Sequence, residues 1–271
     1  MPELPEVETI KNELTPFAVG RIVSKIDILS PSTLRGSTPE ELNAEIFGRR
    51  VIQLGRRGKY LIFYLENDKL LLVHHKMTGS FKVLPELSGP PKHTRAIIHL
   101  DNGFALCFVD PRRFGRFELA GPDSEILKKL GPEPFSREFT VKRLSEILER
   151  RNTPLKSVLL NQELIAGIGN LYADEVLFAA HLSPQRIASS LIMEEVRRLH
   201  AEIRRILKQG IVLKGASMVD YYRPSGDKGG AHLAFKVARR GGQACPAGCG
   251  GVIEHISFRG RGTYYCPQCQ V

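Results

Sequence analysis

Four of the chain's five cysteines crowd its last 27 residues, at Cys245, Cys249, Cys266 and Cys269. Three residues separate the first pair, two the second, and sixteen lie between the pairs. Two close pairs joined by a hairpin-length spacer suit tetrahedral zinc, because each pair can span one edge of the tetrahedron. Four thiolates leave no open coordination position, so one structural Zn2+ per chain is expected and no catalytic one. The other end of the chain carries a different chemistry. Pro2 follows Met1, and an initiator methionine before proline is ordinarily removed, which would leave a secondary amine at the terminus. An α-amino group titrates at about 7.7–8.0, so a useful fraction is neutral and nucleophilic near neutral pH. Two acids stand beside it, Glu3 and Glu6, of which Glu3 is the nearer candidate for general acid–base work. The same residues also suit a plain helix start, with Pro2 at its head and the glutamates complementing the helix dipole, and by themselves they leave both readings open.

These groups need elements to position them. Pro5, Val7, Ile10 and Leu14 fall on one side of a short N-terminal helix. Seven runs then read as strands up to about residue 120: RIVSKIDIL, RVIQLGRRGKYLIFYL, KLLLVHH, SFKVL, RAIIHL, FALCFVD and RFELA. Each is rich in β-branched or aromatic residues and bounded by turn formers, and Asp101-Asn102-Gly103 is a strong hairpin signal. A mostly antiparallel sandwich or barrel follows. Cys107, inside FALCFV, reads as a buried thiol. From about residue 123 the period lengthens to that of helices, in SEILKKL, TVKRLSEILERR, PLKSVLLN, YADEVLFAAHL and MEEVRRLHAEIRRILKQGI. The run GPEPFSREF (131 to 139) looks like the linker, and the segment from about 229 is Gly-rich, basic and ends in the cysteines. The expected class is a multidomain α+β chain: an antiparallel β-sandwich with an N-terminal helix (1–130), a helical domain (131–228) and a zinc-finger hairpin (229–271).

Composition narrows the partners. Thirty-nine Lys and Arg against 29 Asp and Glu give a formal charge of +10 and a pI near 9.5. Four thiolates holding one zinc ion would lower that charge to about +8 without changing its sign. Such an excess favours a polyanion, and Arg259 and Arg261 at the tip of the cysteine-bounded hairpin are placed to reach phosphates. No apolar run approaches the roughly 20 residues of a membrane span, and MPELPEVETI lacks a secretory h-region, so a cytoplasmic protein is expected.

With these residues in hand, the chain resembles a formamidopyrimidine-DNA glycosylase over essentially its whole length. PELPEVET resembles the family's opening signature, and RRGKYL (56 to 61) its lysine-bearing strand motif. HHKMTGS (74 to 80), DPRRFG (110 to 115), LIAGIGNLYADEVLF (164 to 178) and the cysteine finger follow in the family's order. The resemblance implies removal of oxidised purines such as 8-oxoguanine and formamidopyrimidines from double-stranded DNA. Strand cleavage would follow at the abasic site by β- and δ-elimination through a Pro2 Schiff base. It implies Glu3 as the proton shuttle, Lys59 as proton donor of the first elimination and Arg261 as servant of the second. Met77, Arg112 and Phe114 match void-filling residues, a role that base extrusion requires of some wedge and some hydrogen-bonding replacement for the lost partner. Asn170 and Lys156 match backbone contacts on a helix–two-turn–helix, and His93 and Arg151 further phosphate ligands. The loop ASMVDYYRPSGDKGG (216 to 230) resembles a flexible flap that closes over the everted base. No organic cofactor is implied, and a monomer working in the cytoplasm, at the nucleoid, is expected.

Three departures stand against the family pattern. The first cysteine pair has three intervening residues where two are usual, so its knuckle must bulge. His75 and Lys76 occupy positions where a leucine and a glycine commonly stand. AHLAF and VARRGG follow the flap where a Phe-Gln and a Tyr-Gly are usual. The rival readings are the sister enzyme for oxidised pyrimidines, endonuclease VIII; a catalytically silent binder of lesions or abasic sites; and a zinc-ribbon transcription factor. Endonuclease VIII typically has Gly at the position of Leu4 and lacks DPRRFG. A silent binder needs none of Pro2, Glu3, Lys59 and Arg261, and a transcription factor leaves the N-terminal domain unexplained.

Overall fold

A computed structural model describes residues 1–86, 88–218 and 221–271. The chain forms two compact units, 1–128 with 211–232, and 129–210 with 233–271. By compactness, the segment 211–232 groups with residues 1–128, and the cysteine hairpin groups with the helices of 129–210.

The first unit opens with α1 (Leu4–Ala18), longer than the periodicity suggested, whose buried stripe is Leu4, Val7, Ile10 and Leu14. Then come β1 (Val23–Ile28), β2 (Leu34–Arg35), α2 (Pro39–Ile46), β3 (Val51–Arg57), β4 (Tyr60–Leu65) and β5 (Leu70–His74). They are followed by β6 (Ser80–Pro85), β7 (Thr94–Leu100), β8 (Phe104–Val109), β9 (Arg116–Ala120) and the single turn α3 (Glu125–Lys128). Two sheets result, in orders β1-β7-β8-β6 and β2-β9-β5-β4-β3, all pairs antiparallel except the short β2–β9 ladder. Their inner faces meet through aromatic rings, with Phe81–Phe108 centroids 5.3 Å apart and Phe108–Phe117 5.0 Å apart. Edge-on contacts of this kind add to the roughly 1.5–3 kcal/mol that burying each large apolar side chain contributes. The sandwich is as expected; α2 is not. Its start is marked by Thr38 and Glu41, which cap the helix reciprocally, with Pro39 in the first turn.

The second unit holds α4 (Val141–Glu149), α5 (Leu155–Leu160), α6 (Asn170–Ala179) and most of α7 (Met193–Val212), then the hairpin of β10 (Glu254–Phe258) and β11 (Arg261–Tyr265). Val196, Leu199, Ile203, Ile206 and Leu207 form the buried stripe of α7 at spacings of three and four. Gly210 continues it because an added Cβ would lie 2.6 Å from the Tyr172 ring.

Candidate active site and nucleic-acid interface

In the first unit the expected catalytic groups are buried. Pro2 and Glu3 lie at the head of α1, Glu3 only 2 % exposed, and Lys59 at the β3–β4 turn is 6 % exposed. One polar chain ties helix to turn. Glu8 on α1 accepts from Arg56 Nε at 2.8 Å, and Arg56 Nη1 donates to the carbonyl of Gly58 at 3.0 Å, next to Lys59. Burial alone would raise the Glu8 carboxyl, but hydrogen bonds from Lys11 and Arg56 hold it below the usual range. Glu6, the second acid considered beside Pro2, has both carboxylate oxygens engaged. One accepts from Glu3 N–H and the other from Ala216 N–H, each at 2.8 Å. Its carboxylate thus joins the chain's start to the head of the 216–230 segment.

That segment was expected to be a flexible flap; Val219 and Asp220 lie outside the described residues. The described remainder is anchored. Ser217 Oγ accepts from Gly229 N–H at 2.8 Å, Tyr221 is buried, and Arg223 Nε donates to Glu13 at 2.6 Å.

Met77 and Phe114 stand 42 % and 43 % exposed on two loops of the same unit, and the Arg112 guanidinium lies 4.9 Å from the Phe114 ring centroid. His93 is also exposed, at φ 68°. These apolar side chains beside a guanidinium are surface positions and not part of the core. Beneath them lies His75, 1 % exposed, its ring 5.8 Å from Phe81 and 5.9 Å from Phe108. Burial drives its pKa down to about 3, against a small opposing pull from Asp110. On the outer face of the five-stranded sheet, Tyr60, His74 and Arg116 form one cross-strand row bordering a cleft of about 320 Å3 that Arg35, Lys76 and Glu118 also line. His74 is held neutral, at about 3, by burial first and then by the nearby cations Lys76 and Lys59. Its Nδ1 accepts from Lys76 N–H at 2.9 Å, so Nε2 carries the proton.

In the second unit, Asn170 opens α6 with Gly169 as its cap, after Gly167 at φ 96°. Asn170 Nδ2 donates to the Gly262 carbonyl at 2.8 Å. Lys156 departs from expectation. It is 1 % exposed, pairs with Asp174 at 2.6 Å and donates to Thr263 Oγ1 at 2.8 Å. Its ammonium is directed inward, so the phosphate contact expected of it gives way to holding the hairpin. Burial raises the Asp174 carboxyl against Lys156 and the Tyr264 N–H, up to about 7. Neighbouring Glu175 accepts the N–H groups of Lys236, Val237 and Ala238, each at 2.8 Å, and so anchors the strand-free stretch before the hairpin. The hairpin tip presents exposed Arg259 and Arg261, which line a groove of about 280 Å3 with Lys156 and Asn161. Arg151 is exposed as well. Of the residues expected to be catalytic, Pro2, Glu3 and Lys59 thus fall in one unit and Arg261 in the other.

The four cysteine ligand atoms lie within 4.8 Å of one another, with Cys245–Cys269 and Cys249–Cys266 sulfurs 3.7 and 3.6 Å apart. Tetrahedral zinc with Zn–S bonds of about 2.3 Å calls for edges of about 3.8 Å, so the set fits one structural Zn2+. The extra residue in the first knuckle is absorbed by Gly248 and Gly250, at φ 72° and 78°. Among the described residues, no helix is long and apolar enough to cross a membrane.

Comparison with known proteins agrees along the whole chain. Residues 1–117 match the formamidopyrimidine-DNA glycosylase N-terminal domain, 130–221 the H2TH domain of that enzyme, and 242–271 a zinc finger found in FPG and IleRS. A formamidopyrimidine-DNA glycosylase from Symbiobacterium thermophilum is 42 % identical over all of this chain and 89 % of its own. Another from Carboxydothermus hydrogenoformans is 41 % identical over the full length of both. The crystal structure of the MutM (Fpg) protein from Thermus thermophilus superposes with a TM-score of 0.90 at 41 % identity, covering 99 % of this chain and 98 % of that one. The Lactococcus lactis Fpg, in complex with DNA containing an abasic site, gives 0.91 at 35 % identity over 99 % of each chain.

Proposed function

The chain belongs to the formamidopyrimidine-DNA glycosylase family, and we propose that it excises oxidised purines from duplex DNA and then cleaves the strand at the abasic site. The observation that carries this reading is the burial of Glu3 and Lys59, two ionisable side chains, on the elements that start at the chain's amine and flank it. Burying ionisable side chains is costly, and sites of proton transfer are where that cost is commonly met; Glu3 also caps α1 reciprocally with Glu6.

Once Met1 is removed, the Pro2 nitrogen attacks C1′ of the damaged nucleoside. The glycosidic bond breaks, the base departs with a proton, and the nitrogen lone pair closes an iminium with the sugar carbon. Glu3 moves protons at the ring oxygen during opening of the sugar. Loss of a C2′ proton then expels the 3′ phosphate, with Lys59 as the proton donor. A second elimination, with Arg261 on the flanking phosphate, expels the 5′ phosphate and leaves a one-nucleotide gap bearing phosphates at both ends. Met77 and Phe114 occupy the hole left by the extruded nucleotide, and Arg112 hydrogen-bonds the orphaned base, which favours cytosine opposite the lesion. His93, Arg151, Asn170 and the hairpin arginines take the backbone. The solved Lactococcus lactis relative bound to abasic DNA supports the same class of partner.

The test is a duplex with 8-oxoguanine opposite cytosine, incubated with untagged protein. Release of the free base together with a gap bearing both terminal phosphates is the expected result. Binding without base release or cleavage would refute the proposal and favour a silent binder.

A further inference from the structure

Three of the segments placed on the DNA side of the first unit converge on a single aspartate outside the catalytic set, two on its carboxylate and one on its backbone. Asp110, fully buried, receives Thr78 Oγ1 and the Arg112 N–H (3.2 Å) on Oδ1, and the Gly115 N–H (2.7 Å) on Oδ2. Its own backbone completes the junction: its N–H donates to the His93 carbonyl at 3.0 Å, and its carbonyl accepts from Arg95 Nε at 2.8 Å. Thr78 belongs to the loop of Met77; Arg112, Phe114 and Gly115 form the second loop; His93 belongs to the turn before β7. The loops have little freedom to find this arrangement otherwise. Lys76, His93 and Arg113 sit at φ 52°, 68° and 60°, where non-glycine residues are uncommon. An added Cβ at Gly115 would lie 2.5 Å from Phe108 and 3.2 Å from Asp110 Oδ2, and one at Gly79 2.5 Å from Phe108.

We propose that Asp110 is a positioning residue that locks the Met77 loop to the Arg112–Phe114 loop, so that wedge and base reader enter the duplex as one rigid unit. The inference rests on the roles given above to Met77, Arg112 and Phe114. A wedge and a reader on independent loops would fill the void and meet the orphaned base only intermittently. A constellation held by one buried, solvent-excluded anion keeps the tolerance of about 0.5 Å that directional recognition needs. Thr78 brings the Met77 loop onto Asp110; among the described residues, the other bonds to Asp110 come from the segments about 93–95 and 110–115.

The test uses Thr78→Val, which deletes that link, Thr78→Ser, which keeps the hydroxyl, and Asp110→Asn, which turns the acceptor facing Gly115 into a donor or leaves Thr78 facing an amide. Excision is measured on 8-oxoguanine opposite cytosine and opposite adenine, and cleavage on a preformed abasic site. Hydrogen exchange of the free proteins is followed in residues 76–79 and 111–115. Thr78→Val and Asp110→Asn should lower the cytosine-over-adenine preference about tenfold while abasic cleavage by Thr78→Val stays within about threefold. Exchange should rise in both loops together, and Thr78→Ser should behave as wild type. Unchanged preference in both variants, or equal losses in excision and abasic cleavage by Thr78→Val, would overturn the inference while leaving the enzyme assignment standing. A wild-type protein without any preference would instead overturn the role given to Arg112, and the inference with it.

Discussion

His75 shows how a single side chain can sit against the grain of its surroundings. An imidazole packed between Phe81 and Phe108 stays neutral, with its pKa down at about 3, whereas in the unfolded chain it titrates near 6.5. Above pH 6.5 neither state binds the proton. Between 6.5 and 3 the unfolded chain gains it and the native one does not, so stability falls as pH drops, by about 1.4 kcal/mol per unit for this one group. His75→Leu should flatten that acid limb and raise stability at pH 7 by about 1–2 kcal/mol, because leucine needs no polar partner there. Denaturant melts of both proteins at pH 7 and 5 check this, and an equal pH dependence in the two would contradict it. Other residues of the site were open to reading from sequence in unequal measure. The cysteine spacing announced a tetrahedral metal site without further help. Asp110 and Glu6 were invisible as anchors, although both stood inside quoted motifs, because their decisive partners come from far along the chain: the Thr78 hydroxyl for Asp110 and the Ala216 N–H for Glu6.

At the scale of elements, hairpins and amphipathic helices were legible because turn chemistry and periodicity are local; α2 escaped because only Leu42 and Ile46 of its eight residues are buried. The start of α6 offered a stronger clue than was used. Asp174 and Glu175 lie buried on a largely apolar helix, and two buried acids there demand partners. Glu175 finds them in three N–H groups, and Asp174 in Lys156 and Tyr264 N–H. Removing one member of the Lys156–Asp174 pair leaves the other charge buried and unpaired. Lys156→Ala should therefore cost about 3–5 kcal/mol and loosen the β10–β11 hairpin, whereas replacing both residues with apolar ones of similar size should cost much less. Thermal melts of the single and double variants separate the two outcomes. A single variant as stable as wild type would return Lys156 to the role of a phosphate ligand.

On the scale of the whole molecule, the basic excess and the order of six motifs were enough to point to the partner and the family. The division into units was not legible, because the segment 211–232 is continuous in sequence with α7 and joins the N-terminal unit only through contacts such as Glu6–Ala216 and Arg223–Glu13. A net charge of +10, with the phosphate contacts proposed on both units, predicts steeply salt-dependent binding. Four or five neutralised phosphates correspond to a log–log slope of about −4, read from titrations between 50 and 200 mM salt, and a flat response would contradict these contacts. The account stands on the amine of Pro2, and borohydride trapping tests it most directly. Untagged protein is reacted with duplexes carrying 8-oxoguanine opposite cytosine or an abasic site, reduced, digested and mapped. A covalent adduct on both duplexes, located at Pro2 and abolished when Met1 is retained, is the predicted result; full trapping by protein with a blocked N-terminus, or an adduct mapped to Lys59, would contradict it.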